Sequence, residues 1–218
     1  MPTALIIGAS RGLGLGLVRE LAGRGWTVTG TVRAEAGRAA VEAAGGTAAL
    51  ADVTDPASVA ALPDAPLDLL FINAGVSGPE HGNAAQATPE EIGTLFATNA
   101  VAPVAAARAL LGRVKEGGVL AFMTSRLGSV ADNKSGQMEL YSASKAALNS
   151  LTRSLVAKLD RPLAVLSLHP GWVRTDMGGG DAPLDVETSA RGLVDTILAH
   201  RGEPGSAFYD YSGAVLPW

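Results

Sequence analysis

The stretch Thr3-Ala4-Leu5-Ile6-Ile7-Gly8-Ala9-Ser10-Arg11-Gly12-Leu13-Gly14 decides the fold. Thr3 to Ile7 is a continuous β-type run, the pattern of a strand buried on both faces, and strands of a parallel sheet read this way. The next seven residues place glycines at Gly8, Gly12 and Gly14. Leu13 to Ala22 then carries a helical pattern. Glycine lets the backbone turn sharply and approach a ligand closely. The unpaired N–H groups and positive dipole end of the following helix suit a pyrophosphate. A plain glycine-rich turn is the alternative. The strand before it and the helix after it favour a nucleotide cradle.

The same alternation continues along the chain. Strand patterns recur at 26–32, 48–51, 67–72, 119–123, 163–168 and 206–209. Helical patterns fall at 36–44, 56–62, 89–114 (interrupted at Pro103), 138–159 and 185–200. Strands alternating with helices imply an α/β fold, a doubly wound parallel sheet with helices on both faces. No Pro/Gly/Ser-rich linker divides it, so one domain is expected over residues 1–218. Gly178-Gly179-Gly180 belongs to a glycine-rich loop at about 176–188, expected to flank the substrate. In such sheets, ligands bind beyond the carboxyl ends of the strands.

Composition removes other classes. With 47% hydrophobic residues among 218, disorder is excluded as the main reading. A net charge of −4 argues against a nucleic-acid binder. The absence of cysteine excludes disulfides, thiolate ligands and a Cys nucleophile. Three histidines leave little room for a zinc site, and no metal ligands are expected. No unbroken apolar run reaches the ~18 residues of a membrane span. The first residues lack a basic signal region, so a cytoplasmic protein is expected.

At the nucleotide end, the second strand closes on Val28-Thr29-Gly30-Thr31-Val32-Arg33. An NAD site normally has a carboxylate there for the ribose 2′-OH. Arg33 instead suits a 2′-phosphate, and Arg11 adds a second positive charge. NADP(H) is therefore expected over NAD(H), with Glu35 as a nearby counter-charge. Asp52-Val53 follows the third strand. Asp52 is either an acceptor for an adenine amine or a helix cap before Pro56. Asn73-Ala74-Gly75 follows the fourth strand and allows close approach to a dinucleotide.

The chemistry concentrates in Tyr141-Ser142-Ala143-Ser144-Lys145. Tyr141 and Lys145 share a helix face at i and i+4. At ~4 Å and an effective dielectric near 20, an ammonium favours a phenolate by about 4 kcal/mol. That would bring a phenol of pKa ~10 toward neutral pH, where it can transfer protons. An incidental surface pair is the alternative. Ser125, just beyond the fifth strand, is placed to hydrogen-bond a substrate oxygen. It lacks a G-x-S-x-G elbow, and His169 reads as structural. Pro103 removes the N–H that would bond the Asn99 carbonyl, so a kink is expected there.

Together, Gly8-Ala9-Ser10-Arg11-Gly12-Leu13-Gly14, Asp52-Val53, Asn73-Ala74-Gly75, Asn99, Ser125, Tyr141-x-x-x-Lys145 and Pro170-Gly171-Trp172-Val173-Arg174-Thr175 resemble the short-chain dehydrogenase/reductase family. Within it, the chain most resembles the small carbonyl-reductase-like branch, called C-factor or sniffer-like, in its short length and its Ser125-Arg126-Leu127-Gly128-Ser129 stretch. The resemblance implies a Rossmann fold and an oxidoreductase that interconverts a carbonyl and an alcohol. It makes Tyr141 the general acid or base and Lys145 its modulator and ribose ligand. It makes Ser125 the carbonyl orienter, and Asn99 the holder of a relay water through its carbonyl. The implied cofactor site is Gly8, Ser10, Arg11, Gly12, Leu13, Gly14, Arg33, Asp52, Val53, Asn73, Ala74, Gly75, Tyr141, Lys145, Pro170, Gly171, Val173 and Thr175.

Two departures stand out. Ile7 replaces a frequent Thr, which leaves a loop hydrogen bond open. The Ser125-to-Tyr141 separation exceeds the family's usual spacing, so Ser129 competes for the serine role. The substrate is expected to be a small or medium apolar ketone, aldehyde or alcohol, between Ser125, Tyr141 and the loop after Thr175. Met177, Leu127, Met138 and Trp172 are candidate walls. Family analogy implies a homodimer, or a tetramer. The competing functions are a non-catalytic dinucleotide sensor and an isomerase or lyase.

Overall fold

The computed structural model describes residues 1–218. β4 (Leu67–Ile72) runs through the middle of the sheet with all six residues buried. It lies between β1 (Thr3–Ile7) and β5 (Val114–Met123). Outward from β1 come β2 (Thr27–Val32) and β3 (Thr47–Leu50). Outward from β5 come β6 (Ala164–His169) and β7 (Gly205–Asp210). All six strand pairs are parallel, in the order β3-β2-β1-β4-β5-β6-β7. The order reverses between β1 and β4, the place where a parallel sheet opens a crevice for a ligand.

Alternation along the strands divides the core in two. Ala4 and Ile6 of β1 face one cluster with Leu69 and Phe71 of β4. Leu17, Val18 and Leu21 of α1 (Gly12–Gly23) cover that face with Leu193, Val194 and Ile197 of α7 (Val186–Ala199). Leu5 and Ile7 face the opposite cluster with Leu70 and Ile72. There Ala107 and Leu110 of α5 (Ala102–Leu110) meet Leu148 and Leu155 of α6 (Glu139–Val156). The remaining helices are α2 (Arg38–Ala43), α3 (Pro56–Ala60) and α4 (Pro89–Phe96).

Local chemistry starts several of these helices. Asp55 caps α3 by accepting from the Ala57 N–H, with Pro56 in the first turn. Thr88 and Glu91 form a reciprocal capping box on α4. Asp185 accepts from the Thr188 N–H at the start of α7.

Between α4 and α5 the chain stays helical through a π turn, Ala97–Val101. The interruption expected at Pro103 therefore takes the form of a widened turn just ahead of it. π turns of this kind recur at functional sites. The whole segment Pro89–Arg113 is long and apolar enough to cross a membrane. No run of that kind was expected, because polar residues interrupt it in sequence. Winding it into a helix gathers its apolar side against the sheet, where Ala107 and Leu110 are fully buried.

β5 begins five residues earlier than its pattern suggests, at Val114. Its first residues, Lys115, Glu116 and Gly117, are exposed and carry no strand periodicity.

Candidate active site

The loop after β1 is held from two sides. Gly8 sits at φ +88°, open to glycine, and its N–H donates to the Thr31 hydroxyl on β2 at 2.9 Å. The Gly8 carbonyl accepts from the Asn73 amide at 2.6 Å. The Ala9 N–H donates to the Thr31 carbonyl at 2.8 Å. Thr31 thus ties the loop from β2, where Ile7 offers no hydroxyl. A Cβ on Gly14 would lie 2.0 Å from the Gly8 carbonyl oxygen. Gly14 therefore allows α1 to start directly against the loop.

Beyond the carboxyl ends of the strands lies a cleft of about 750 Å³. Its lining includes Gly8, Ser10, Arg11, Gly12 and Leu13 from the loop, and Arg33, Asp52 and Val53 from the ends of β2 and β3. Asn73, Ala74 and Gly75, Tyr141 and Lys145, and Pro170 and Thr175 complete the expected set that reaches it.

Three expected cofactor residues lie behind the wall. Gly14 packs on the loop, as above. Val173 is buried and bridges to Leu184. Gly171 makes a turn at φ +83°, and a Cβ there would lie 2.4 Å from Leu184. Gly171 and Val173 shape the Pro170–Thr175 turn from behind.

The charges around the cleft are arranged differently from the sequence expectation in three places. Asp52 turns back on its own loop, accepting from the Thr54 N–H and hydroxyl at 2.9 and 2.7 Å. Those hydrogen bonds hold its carboxyl below the usual range, with Arg33 adding to the effect. The cap of α3 is Asp55 instead. Arg11 is paired with Asp176 at 2.6 Å, across the mouth of the cleft. Glu35 pairs with Arg38 at 2.6 Å and not with Arg33.

α6 carries the chemical groups. Lys145 is buried and donates to the Met123 carbonyl at 3.0 Å. Its Nζ lies 5.7 Å from the centre of the Tyr141 ring. Burial pushes the Tyr141 phenol up to about 12, with the Ser125 hydroxyl drawing it back. The same burial brings Lys145 down to about 8. This corrects the expectation of a lysine-lowered phenol. Here both groups are desolvated, and desolvation disfavours each charged form.

Ser125 lies buried at the end of β5, ahead of a short 3₁₀ turn at Arg126–Gly128. Ser129 is fully buried and accepts from the Asp132 N–H, closing a turn. Of the two serines, Ser125 is the one that bears on the phenol. The Asn99 side chain is also fully buried. Its amide donates to the Val76 carbonyl and the Ser144 hydroxyl, and its oxygen accepts from the Val76 N–H. It thereby ties the π turn to α6 and to the segment after β4.

A second pocket of about 260 Å³ adjoins the first, walled by Ser77, Gly78, Pro79, Glu80, Gly82, Met138 and Tyr141. Tyr141 is the one residue common to both cavities. The pocket stands beside the segment after β4, whereas the loop after Thr175 reaches the large cleft through Asp176 and Met177. Among the expected walls, Met138 lines this pocket, and Trp172 donates from its indole to the Gly178 carbonyl. His169 is brought down to about 4 by burial, and its Nδ1 has no partner.

The family model described as short chain dehydrogenase matches residues 2–183. The chain belongs to the short-chain dehydrogenase/reductase family. Among its relatives, the C-signal of Myxococcus xanthus is 40% identical over 159 residues, 70% of this chain and 93% of that protein. A putative short-chain dehydrogenase/reductase from Burkholderia multivorans, solved with bound NADP, superposes with a TM-score of 0.95 at 41% identity. It covers 100% of this chain and 99% of that one. A carbonyl reductase from Pseudomonas aeruginosa PAO1 in complex with NADP gives 0.91 at 43% identity, with both chains fully covered. The carbonyl reductase Sniffer of D. melanogaster gives 0.87 at 32%, again with full coverage.

Within this short-chain dehydrogenase/reductase, sequence reasoning missed Thr31, Asp176 and Ser144. Ser144 stands inside the Tyr141–Lys145 motif, three residues from Tyr141, and its hydroxyl donates to the Tyr141 carbonyl at 2.7 Å. That spacing was a usable signal. Thr31 and Asp176 carried none, because their partners lie 23 and 165 residues away.

Proposed function

We propose that the chain is an NADP(H)-dependent oxidoreductase that interconverts a carbonyl and an alcohol. The observation that carries this reading is Tyr141 standing alone between the large cleft and the small pocket. A proton donor at that junction serves a reaction between a bound dinucleotide and a small substrate. The glycine loop, the free Arg33 guanidinium and the close-packed Gly14 fit a dinucleotide diphosphate with a 2′-phosphate. The solved relatives with bound NADP support the same cofactor.

When bound, the cofactor supplies or accepts the hydride. Tyr141 Oη gives its proton to the carbonyl oxygen in reduction and takes it back in oxidation. A phenol is protonated at neutral pH, so Tyr141 can serve as the acid in reduction. Ser125 orients the same oxygen by hydrogen bonding. Lys145 holds the nicotinamide ribose and stabilises the phenolate once it forms. Asn99 anchors the path by which that proton is replaced. Pro170 and Thr175 hold the carboxamide side of the cleft. The substrate's carbonyl substituent occupies the small pocket, whose 260 Å³ suits a small aldehyde or ketone.

A homodimer is part of this proposal. Val101, 58% exposed between α4 and α5, offers an apolar contact on that side, and light scattering tests it.

The experiment is a fluorescence titration with NADPH and NADH, followed by NADPH consumption with an aldehyde panel. The expected result is preferential NADPH binding and turnover that vanishes in Tyr141→Phe while binding remains. Binding without turnover on any carbonyl would favour the sensor reading instead.

A further inference from the structure

The serine turn after β5 is gripped by one buried side chain. Asn149 lies on α6, two turns beyond Tyr141 and one beyond Lys145, so the three share a helix face. It is 4% exposed. Its amide nitrogen donates to the Gly128 carbonyl at 3.1 Å. Its amide oxygen accepts from the Thr124 hydroxyl at 2.8 Å, and Thr124 is 1% exposed. Thr124 directly precedes Ser125, and Gly128 follows it by three. A single side chain therefore holds both ends of the segment that presents Ser125.

The turn has little other freedom. The Gly128 N–H donates to the Ser125 carbonyl at 2.8 Å. The Leu127 N–H donates to the Ser125 hydroxyl at 3.2 Å. A Cβ on Gly128 would lie 2.8 Å from the Lys145 backbone, so the turn rests directly on α6. Mere packing at position 149 needs only apolar volume. Two oriented hydrogen bonds, one on each side of Ser125, fix a register between the serine turn and the helix that carries Tyr141.

We propose that Asn149, acting with Thr124, is a positioning residue that sets Ser125 against the Tyr141 phenol. The proposal rests on the oxidoreductase reading for its catalytic consequence, but its geometric content stands without turnover. Misplacing a reacting group by about 1 Å costs up to about a hundredfold in rate, which sets the scale of the effect.

The test compares Asn149→Leu, Thr124→Val and Thr124→Ser with the parent chain, using NADPH and 4-nitrobenzaldehyde as the probe pair. In Asn149→Leu, kcat should fall about tenfold to a hundredfold while the dissociation constant of NADPH stays within about twofold. Thr124→Val should show the same split, and Thr124→Ser, which keeps the hydroxyl, should recover most of the loss. The double variant Thr124→Val/Asn149→Leu should lose no more than either single one, because both break one network.

A readout without turnover uses protein labelled at the tyrosine Cζ carbon, with Tyr141 assigned by its absence in Tyr141→Phe. Its resonance should move in Asn149→Leu as it moves in Ser125→Ala. A folded Asn149→Leu with parental kcat and an unmoved Tyr141 resonance overturns the proposal. So does a Thr124→Ser variant as impaired as Thr124→Val. If the parent chain turns over no carbonyl, the oxidoreductase reading fails, and the resonance alone decides the role of Asn149.

Discussion

Arg11 and Asp176 meet at 2.6 Å although 165 residues separate them, and each side chain is about three-quarters exposed. The pair spans the mouth of the cleft, from the glycine loop to the segment after Thr175. If Arg11 answers a 2′-phosphate, that phosphate competes with Asp176 for one guanidinium. Asp176→Asn should then raise NADPH affinity by about twofold to fivefold, the scale of an exposed ion pair. NADH affinity should not change. Titrations of both cofactors at low salt check this, and the gain should shrink at high salt as screening removes the competition. An equal gain for both cofactors would remove the 2′-phosphate from the account.

The buried ammonium of Lys145 has a cost that pH can remove. Its pKa falls from 10.5 in the free side chain to about 8 in the fold. Below pH 8 both folded and unfolded chains carry the proton, and the full cost of burial is present. From pH 8 toward 10.5 the unfolded chain binds more protons than the folded one, so stability rises with pH. The rise amounts to about 3 kcal/mol at 1.36 kcal/mol per pKa step. Lys145→Met lacks this slope. It should be the more stable protein at pH 7, less the lost bond to the Met123 carbonyl, and the gap should close toward pH 10. Urea unfolding of both proteins at pH 7 and 9.5 checks it. A gap that widens with pH contradicts the assignment. Tyr141 acts in the opposite sense above pH 10, because its folded pKa is raised, and both proteins share that loss.

Sequence periodicity reached the parts of this molecule that repeat locally. β1 and β4 were legible to the residue because a strand buried on both faces leaves an unbroken apolar run. The glycine cradle was legible because Gly8 needs a positive φ and Gly14 a missing Cβ, and both demands leave a mark on composition. The first half of β5 was not, since Lys115-Glu116-Gly117 is exposed and falls where the register shifts between the Leu67–Val114 and Leu69–Val119 pairs. Thr31, Asn149 and Asp176 act through partners distant in sequence, and no local period encodes such contacts. The direction of the Tyr141 shift escaped for another reason. Spacing places Lys145 near the phenol, but burial decides the sign, and burial belongs to the tertiary fold.

Two glycines of α1 should answer alanine in opposite ways. A Cβ on Gly14 would meet the Gly8 carbonyl oxygen at 2.0 Å and the Asn73 amide at 2.6 Å, both parts of the loop clamp. Gly14→Ala should destabilise the chain by about 1–3 kcal/mol, as overpacking does. It should also weaken NADPH binding by more than about tenfold, since 1.4 kcal/mol of lost fit is a factor of ten. A Cβ on Gly23 meets nothing within 4 Å. Gly23→Ala should stabilise by about 0.5–1 kcal/mol through helix propensity and leave binding alone. Thermal melts and cofactor titrations of the two variants check the contrast.

Met138 combines strain with position. At φ 49° and ψ 54° it is the one non-glycine residue with positive φ, and it stands at the N-cap of α6. Left-handed backbone costs about 1–2 kcal/mol for an ordinary residue. Its side chain lines the small pocket beside Tyr141, while Glu139 next to it accepts from the Ala84 N–H at 3.0 Å. The helix start is thus tied to the segment that forms the pocket's other wall. Met138→Gly relieves that strain and loosens the unfolded chain by about 0.5–1 kcal/mol, so stability should rise by at most about 1 kcal/mol. It also empties one wall, so bulkier aldehydes should gain in kcat/KM relative to small ones, with NADPH binding unchanged. Thermal melts and a size series of aldehydes check both halves. A stability gain with an unchanged size preference would leave Met138 as a turn residue and place the substrate outside this pocket.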